Sequence, residues 1–214
     1  MTKALILWGG WEGHTPRAAA ERVADALRAA GGVVDLENSL APLEDADRLR
    51  TYQVIVPVWT MGQLSKEQGD NLNQAVAAGV GFAGFHGGAG DAFRGNLNYE
   101  WMVGGLFVGH PYVGTYQVAR TGEDSPITAG LPPVFDYHSE QYYMLVDPAN
   151  RVLATTRYRH NGQDVTMPVI WTKFWGRGRV FYSALGHEAK EFEQYPAILE
   201  MTVRGIHWAA GSKI

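Results

Sequence analysis

The stretch that decides the fold is Gly81-Phe82-Ala83-Gly84-Phe85-His86-Gly87-Gly88-Ala89-Gly90-Asp91. Its first five residues are an apolar run that predicts a buried strand, and the small residues that follow predict a sharp turn into a helix. In hydrolases a turn of this kind is the nucleophile elbow, which presents one side chain and a set of backbone N–H groups. The residue at the tip here is His86. The segment therefore predicts an α/β fold with a functional position at residue 86.

The chain before this segment alternates strands and helices. Thr15 and Pro16 predict the N-cap and first position of one helix, and Ser65 with Gln68 has the spacing of a capping box that opens another. Apolar runs predict buried strands at residues 4–8, 33–36 and 54–59. Strand–helix–strand alternation predicts a parallel, doubly wound sheet with helices on both faces.

The second half of the chain has a different pattern. Glycines, prolines and aromatic residues are frequent between positions 87 and 133, which predicts loops with short elements. Apolar runs then predict strands at residues 141–145, 152–156 and 168–174, and Gly176-Arg177-Gly178 predicts a hairpin turn into a strand at 180–184. Pro196 opens a last helix that reaches about residue 210. We find no repeat or linker, so we expect one domain over residues 1–214, with a mostly parallel sheet and a C-terminal hairpin.

Composition excludes several classes of function. The 214 residues contain no cysteine, so there is no disulfide, thiolate metal site or cysteine nucleophile. A net charge of -4 argues against nucleic acid or an anionic membrane surface as the main partner. The apolar run in MTKALILWGG is too short for a signal peptide, and no run is long enough to span a membrane, so we expect a cytoplasmic protein. No diagnostic interface stripe is present, and the surfaces of a two-sided sheet allow homo-oligomers.

Polar residues that follow predicted strands are the candidates for chemistry, because ligands of open α/β sheets bind outside the carboxyl ends of the strands. His86 is a candidate general acid/base or metal ligand, and the alternative is a polar histidine that caps the adjacent helix. Distant loops converge at such a sheet edge, so several histidines can meet there although no H-E-x-x-H spacing predicts a zinc site directly. The other candidates in similar positions are His14, His110, His187 and Glu140.

Other motifs are absent or have structural explanations. The sequence has no G-x-x-x-x-G-K-[ST] and no G-x-S-x-G, which excludes an ordinary phosphate-binding loop and the usual serine hydrolase. Residues 8–13, WGGWEG, match a dinucleotide fingerprint poorly, so we expect no nucleotide cofactor. Asp91 and Arg94 have the spacing of an ion pair at a helix start.

Several segments, taken in order, resemble the trehalose-utilisation (ThuA-like) family. They are Phe85-His86-Gly87-Gly88 with Asp91, Gly104-Gly105 and Phe107 before His110-Pro111, Ser139-Glu140-Gln141-Tyr142-Tyr143, residues 167–171 and 176–182, Leu185-Gly186-His187, and residues 204–209. The similarity covers nearly the whole chain. It implies a flavodoxin-like three-layer sandwich related to class I glutamine amidotransferases.

The resemblance also identifies departures from both groups. His86 stands where amidotransferases carry the nucleophilic cysteine, and His187 stands near the position of their later histidine. Glu188 follows that histidine directly, instead of two residues on. Without cysteine, thioester chemistry on glutamine is excluded, so the amidotransferase relation describes the fold alone. Ser139 replaces the aspartate that usually begins the acidic segment of the ThuA-like family, which leaves Glu140 as its carboxylate.

The family association implies a small-molecule carbohydrate as substrate, and an enzyme that acts on a sugar or keto-sugar. In this hypothesis His86 and His187 are an acid/base pair, Glu140 orients one imidazole or binds the sugar, and the activity is that of an isomerase, epimerase or lyase. A divalent metal such as zinc, held by His86, His110 and His187, would stabilise an enediolate or, in a hydrolase, activate water. The expected substrate-binding residues are His14, Asp91, His110, Tyr142 and Trp171. The alternative is a non-catalytic sugar-binding or regulatory module on the same fold.

Overall fold

The structure, a computed structural model, describes residues 1–213. The strands are β1 (Lys3–Gly10), β2 (Val33–Glu37), β3 (Val54–Thr60), β4 (Gly81–Phe85), β5 (Gly105–Arg120), β6 (Val134–Val146), β7 (Arg151–His160), β8 (Gln163–Trp175) and β9 (Gly178–Ser183). The α-helices are α1 (Pro16–Ala29), α2 (Ala46–Leu49), α3 (Lys66–Ala77), α4 (His86–Gly90), α5 (Leu97–Val103), α6 (Ala189–Gln194) and α7 (Pro196–Ala209).

Within the described residues all strands belong to one nine-stranded mixed sheet of order β2-β1-β3-β4-β9-β8-β7-β5-β6. The pairs from β2 to β9 are parallel, whereas every pair from β9 to β6 is antiparallel. The expectation of a mostly parallel sheet was therefore wrong, since half of the sheet is antiparallel. The predicted C-terminal hairpin is confirmed as the β8–β9 pair.

The error arose in the segment that we predicted to be loops. It contains β5, a strand of 16 residues that pairs with β6 along most of its length. The register of this pair shifts between Phe107 and Gly109 and again between Gly109 and Tyr112. Such bulges accept glycine and proline within a strand. Local composition therefore concealed a strand that depends on pairing with β6, a separate segment of the chain.

The parallel half of the sheet supplies much of the core. Every residue of β4 is buried, and because successive side chains point to opposite faces, both faces of that strand are covered. Helices α1 and α7 pack on each other and on this half of the sheet, and α3 and α5 form a second packed pair. No helix within residues 1–213 is long and apolar enough to cross a membrane.

The two predicted helix starts have different outcomes. The capping box of Ser65 and Gln68 is confirmed, with both of its reciprocal hydrogen bonds. Thr15 occupies the N-cap of α1 in a left-handed conformation, φ 45°, and its side chain makes no capping bond. Its Oγ1 instead accepts a hydrogen bond from the backbone N–H of Ala189 at 3.1 Å. This bond ties the β1–α1 loop to the segment after β9, and both segments contribute to the site described next.

Candidate functional site

The turn after β4 places His86 at the carboxyl end of the parallel strands. His86 is buried and has φ 42°, in the left-handed region that non-glycine residues rarely occupy. Its Nδ1 donates a hydrogen bond to the backbone oxygen of Ala184, which follows β9, at 2.9 Å. Its own backbone oxygen accepts a hydrogen bond from the hydroxyl of Tyr182 at 3.0 Å. Strand β9 and the residue after it therefore fix both the side chain and the backbone of His86 at the predicted elbow.

A glycine at the next position makes room for a second histidine. A Cβ atom on Gly87 would lie 2.3 Å from Cε1 of His14 and 2.9 Å from the hydroxyl of Tyr142. Any side chain at residue 87 would therefore displace the His14 ring. His14 lies in the segment that follows β1. The segments that follow β1 and β4 therefore face each other at the carboxyl edge of the sheet.

Four side chains converge at this point. His14, His86, Glu140 and His187 each offer one ligand atom, and these atoms all lie within 4.8 Å of one another. Nε2 of His86 lies 3.2 Å from Oε2 of Glu140, and Nε2 of His187 lies 3.7 Å from Oε1. We call these four residues the His/Glu cluster. His14 follows β1, His86 begins α4, Glu140 lies in β6 and His187 follows β9, so no short spacing in the sequence could reveal the cluster.

Burial and mutual repulsion lower the pKa values of two imidazoles in the cluster, those of His14 and His187. Burial, followed by the charges of His86 and His187, lowers the pKa of His14 to about 3. Burial and His86 also lower the pKa of His187. For Glu140, burial acts to raise the pKa, but the hydrogen bond with His86 and the nearby imidazoles lower it to about 2. At neutral pH the cluster therefore combines the neutral imidazoles of His14 and His187 with the ionised carboxylate of Glu140.

This donor set fits a divalent metal ion. Neutral imidazole nitrogens and a carboxylate are the ligands that zinc prefers in catalytic sites. Nδ1 of His86 donates to the backbone oxygen of Ala184, so Nε2 is the ring nitrogen that faces the Glu140 carboxylate, at 3.2 Å. A lone pair facing a carboxylate is unfavourable unless a proton or a cation lies between them. The geometry therefore accommodates a positive charge at the centre of the cluster.

The ring nitrogens that face away from the centre have partners, as metal-ligating histidines usually do. Nδ1 of His14 lies 2.7 Å from Oγ1 of Thr60, at the end of β3. Nδ1 of His187 lies 3.8 Å from Glu191 and 3.9 Å from Glu188. Thr60 and Glu191 were not predicted from the sequence. The available signals were the carboxyl end of a parallel strand for Thr60 and the i,i+4 spacing from His187 for Glu191.

A small cleft of about 120 Å³ opens onto the cluster. The ring of Tyr142 lies against His86, with centroids 4.0 Å apart, and also contacts Phe107 at 4.4 Å. Asp91 is buried and accepts two hydrogen bonds from Arg94, at 2.5 and 2.8 Å. Both of these residues line the cleft and form the ion pair that their spacing predicts. Trp11, half exposed, forms another wall with its ring edge-on to His14.

All the predicted site residues except Trp171 belong to the His/Glu cluster or line the cleft. The predicted acid/base residues His86, His187 and Glu140 lie together, and His14, expected only to bind substrate, joins them. His110 lies at the cleft with Nε2 3.5 Å from Oε1 of Glu140, but it is not one of the four grouped ligands. The group of potential ligands thus contains His14 where the ligand set expected from the sequence contained His110.

Trp171 lies outside the site. Its side chain is fully buried, its indole N–H donates to the backbone oxygen of Val103 at 2.9 Å, and its ring packs on Tyr182. A ring without an accessible face cannot contact a substrate. The expectation that Trp171 binds substrate was therefore wrong, because this aromatic residue is part of the core.

Together the fold and the site define an α/β protein with a candidate metal centre of three histidines and one glutamate at the carboxyl edge of its parallel strands. The family described as "Trehalose utilisation" (ThuA) matches residues 3–209, so the chain belongs to the ThuA family. No curated protein sequence matches the chain.

Solved structures share the fold at low sequence identity. A putative ThuA-like protein from Bacteroides uniformis has a TM-score of 0.77 and 22% identity, over 97% of this chain and 91% of that one. Another from Parabacteroides merdae has a TM-score of 0.79 and 20% identity, over 100% and 92%. A β-galactosidase from Bacillus circulans has a TM-score of 0.64 and 15% identity, over 99% of this chain but 31% of that one. At these identities the structural matches show the fold alone.

Proposed function

We propose that this protein is a divalent-metal-dependent enzyme that acts on a sugar or keto-sugar. The observation that carries the proposal is the convergence of three imidazoles and a carboxylate within 4.8 Å, beside a cleft that two of them, His14 and Glu140, line. Membership of a trehalose-utilisation family supports the carbohydrate class of substrate. The low pKa values of His14 and Glu140 support metal binding, because ligands that are already deprotonated need not release protons.

The residues that would hold the ion are His14, His86, His187 and Glu140. Zinc is the cation that this donor set fits best. When bound, it would polarise a carbonyl or hydroxyl oxygen of the sugar and stabilise the negative charge that develops there. Such stabilisation favours proton transfer next to a carbonyl, so we propose an isomerase, epimerase or lyase reaction on a keto-sugar.

Other residues of the cleft would bind and orient the substrate. Arg94 is half exposed and Asp91 fixes its guanidinium at the cleft wall. Trp11 and Phe107 offer apolar ring faces, and a sugar ring presents C–H groups to such faces and hydroxyls to the polar groups. His110 is outside the ligand group and partly exposed, so its imidazole can form a hydrogen bond with a substrate hydroxyl in the cleft.

We also propose that the parallel half of the sheet is the flavodoxin-like, amidotransferase-like part of the fold. Its order, β2-β1-β3-β4-β9, is the doubly wound order 2-1-3-4-5 with β9 in last place. His86 occupies the elbow after β4, where an amidotransferase would carry its nucleophile. Since the chain has no cysteine, the fold is used here for other chemistry.

The test combines metal analysis with a turnover assay. Elemental analysis of the purified protein is expected to show about one zinc or similar ion per chain. The double variant His86→Ala, His187→Ala should contain none, and His138→Ala, at an exposed position, should retain it. The metal-loaded protein should exchange a keto-sugar's α-proton with deuterated water, as followed by NMR. Sugar binding without exchange or turnover would identify a non-catalytic module, and water consumption would identify a hydrolase.

A further inference from the structure

We propose that Glu191 is a positioning residue that orients His187 for metal binding; this inference rests on the proposed function. Glu191 lies on α6, four residues after His187, and its side chain is 5% exposed. Its Oε1 lies 3.8 Å from Nδ1 of His187, the ring nitrogen that faces away from the cluster. No motif in the sequence pointed to this residue, and it does not face the cleft.

The Glu191 carboxylate is fixed by three hydrogen-bond donors. The hydroxyl of Tyr137 donates at 2.5 Å, the hydroxyl of Ser139 at 2.8 Å and the backbone N–H of His187 at 2.9 Å. A buried carboxylate is stable only when such donors satisfy its oxygens. Because one of the donors is the backbone N–H of His187 itself, the carboxylate fixes the main chain that carries this imidazole.

The same network holds the segment that positions His86. The hydroxyl of Tyr137, which donates to Glu191, accepts a hydrogen bond from the backbone N–H of Gly186 at 3.0 Å. Gly186 lies two residues after Ala184, whose oxygen binds Nδ1 of His86. Glu191 therefore stabilises the segment 184–188, which determines the orientation of two of the cluster's imidazoles.

We expect the nearby carboxylates to favour the tautomer of His187 that carries its proton on Nδ1. Two carboxylates, Glu188 and Glu191, lie on the Nδ1 side, whereas the Nε2 side faces only Glu140, which is shared with other imidazoles. A proton on Nδ1 leaves the lone pair of Nε2 directed into the cluster, as a metal ligand requires. At 3.8 Å Glu191 acts on the His187 ring as a nearby negative charge, whereas its hydrogen bond is with the backbone N–H of His187.

Glu188 provides a matched control. Its carboxylate lies 3.9 Å from the same Nδ1, almost the distance of Glu191. However, it is 25% exposed and pairs with Lys190 at 2.8 Å, so solvent and a cation screen its charge. If proximity alone mattered, the two carboxylates would contribute equally to His187.

The experiment compares Glu191→Gln with Glu188→Gln in two measurements. Titration of the metal-free proteins with Zn²⁺ should show a loss of affinity of about 10–100-fold for Glu191→Gln and less than about 3-fold for Glu188→Gln. Long-range ¹H–¹⁵N spectra of the metal-free proteins should show His187 protonated on Nδ1 in the wild type, with a shift toward Nε2 in Glu191→Gln. Circular dichroism and urea unfolding report whether each variant is folded.

Equal affinities and an unchanged tautomer in folded Glu191→Gln would overturn the proposal. If that variant does not fold, Ser139→Ala removes one donor and leaves the carboxylate; it should weaken Zn²⁺ binding several-fold, and an unchanged affinity would overturn the proposal. Failure of the wild type to bind any divalent metal would refute the proposed function. The tautomer measurement needs no metal and would still test the role of Glu191.

Discussion

The imidazole of His86 and the backbone oxygen of Ala184 are joined by a hydrogen bond of 2.9 Å that links the ends of β4 and β9. A carbonyl can only accept, so this bond assigns the proton to Nδ1 and leaves Nε2 directed at Glu140. The neighbouring parallel strand thus determines which nitrogen of the elbow histidine faces the site. The His86 ring is thereby directed into the cluster, as the proposed role of metal ligand requires, and the other members of the cluster can be tested in turn.

The first prediction concerns the third histidine ligand. His14→Ala should lower Zn²⁺ affinity by at least about 10-fold, because it removes one of the four grouped ligand atoms. His110→Ala should change the affinity by less than about 3-fold, because its partly exposed ring lies outside that group. Calorimetric Zn²⁺ titrations of both variants check this. The reverse order of effects would restore the ligand set expected from the sequence.

The second prediction concerns the space beside the elbow. Gly87→Ala should abolish or strongly weaken metal binding, because the added Cβ would lie 2.3 Å from Cε1 of His14 and must displace that ring. Gly109→Ala is the matched control, since its added Cβ would meet nothing within 4 Å. The measurement is the metal content of both proteins after equal loading. Retention of a full complement in Gly87→Ala would contradict the placement of His14 in the cluster.

The local sequence pattern was sufficient to predict the parallel half of the sheet. Buried strands in this half are continuous apolar runs, and capping residues such as Ser65 mark the helices, so each element carries its own signal. Strand β5 carries no such local signal, because its bulges and its glycines are stabilised by pairing with β6 rather than by local preference. The antiparallel half was therefore predicted as fragments.

The candidate site was predictable to a similar degree. His86 and His187 follow strands, and the rule that ligands bind at the carboxyl ends of parallel strands was enough to select them. The choice between His14 and His110 depended on side-chain direction across the bulged β5, which sequence spacing does not determine. Trp171 shows the corresponding error for aromatic residues, because a buried and an exposed indole have the same sequence signal.

The third prediction tests the assignment of Trp171 to the core. Trp171→Phe should lower the free energy of unfolding by about 2–4 kcal/mol, since it leaves a cavity and removes the hydrogen bond to the oxygen of Val103. Trp11→Phe, at a half-exposed ring beside His14, should cost less than about 1 kcal/mol. Urea unfolding followed by circular dichroism measures both changes. Zn²⁺ affinity should be unchanged in Trp171→Phe, and a loss of affinity without a loss of stability would place this residue in the site.

The last prediction concerns the stability of the metal-free protein in acid. The pKa of His14 is about 3 in the folded chain, against an ordinary value of 6.5, so the unfolded chain takes up a proton first as the pH falls. The stabilisation that depends on a neutral His14 is therefore complete above pH 6.5 and is lost progressively toward pH 3. Glu140, with a pKa of about 2 against 4.5, adds a second loss that begins near pH 4.5. Both losses have the same sign. Between pH 6.5 and 5 the loss at His14 adds to those at His187 and His207, whose pKa values are also lowered, and Glu140 does not yet contribute.

Urea unfolding at a series of pH values, in the presence of a chelator, separates these contributions. The free energy of unfolding of the wild type should fall between pH 6.5 and 5, and it should fall less steeply in His14→Gln, because glutamine does not titrate. His138→Gln, at an exposed position outside the cluster, should follow the wild type. If His14→Gln and the wild type had the same slope, the imidazole of His14 would be protonated equally in the folded and unfolded chains. A buried, neutral His14 would then be excluded, and with it the argument that this histidine is already prepared to bind a metal ion.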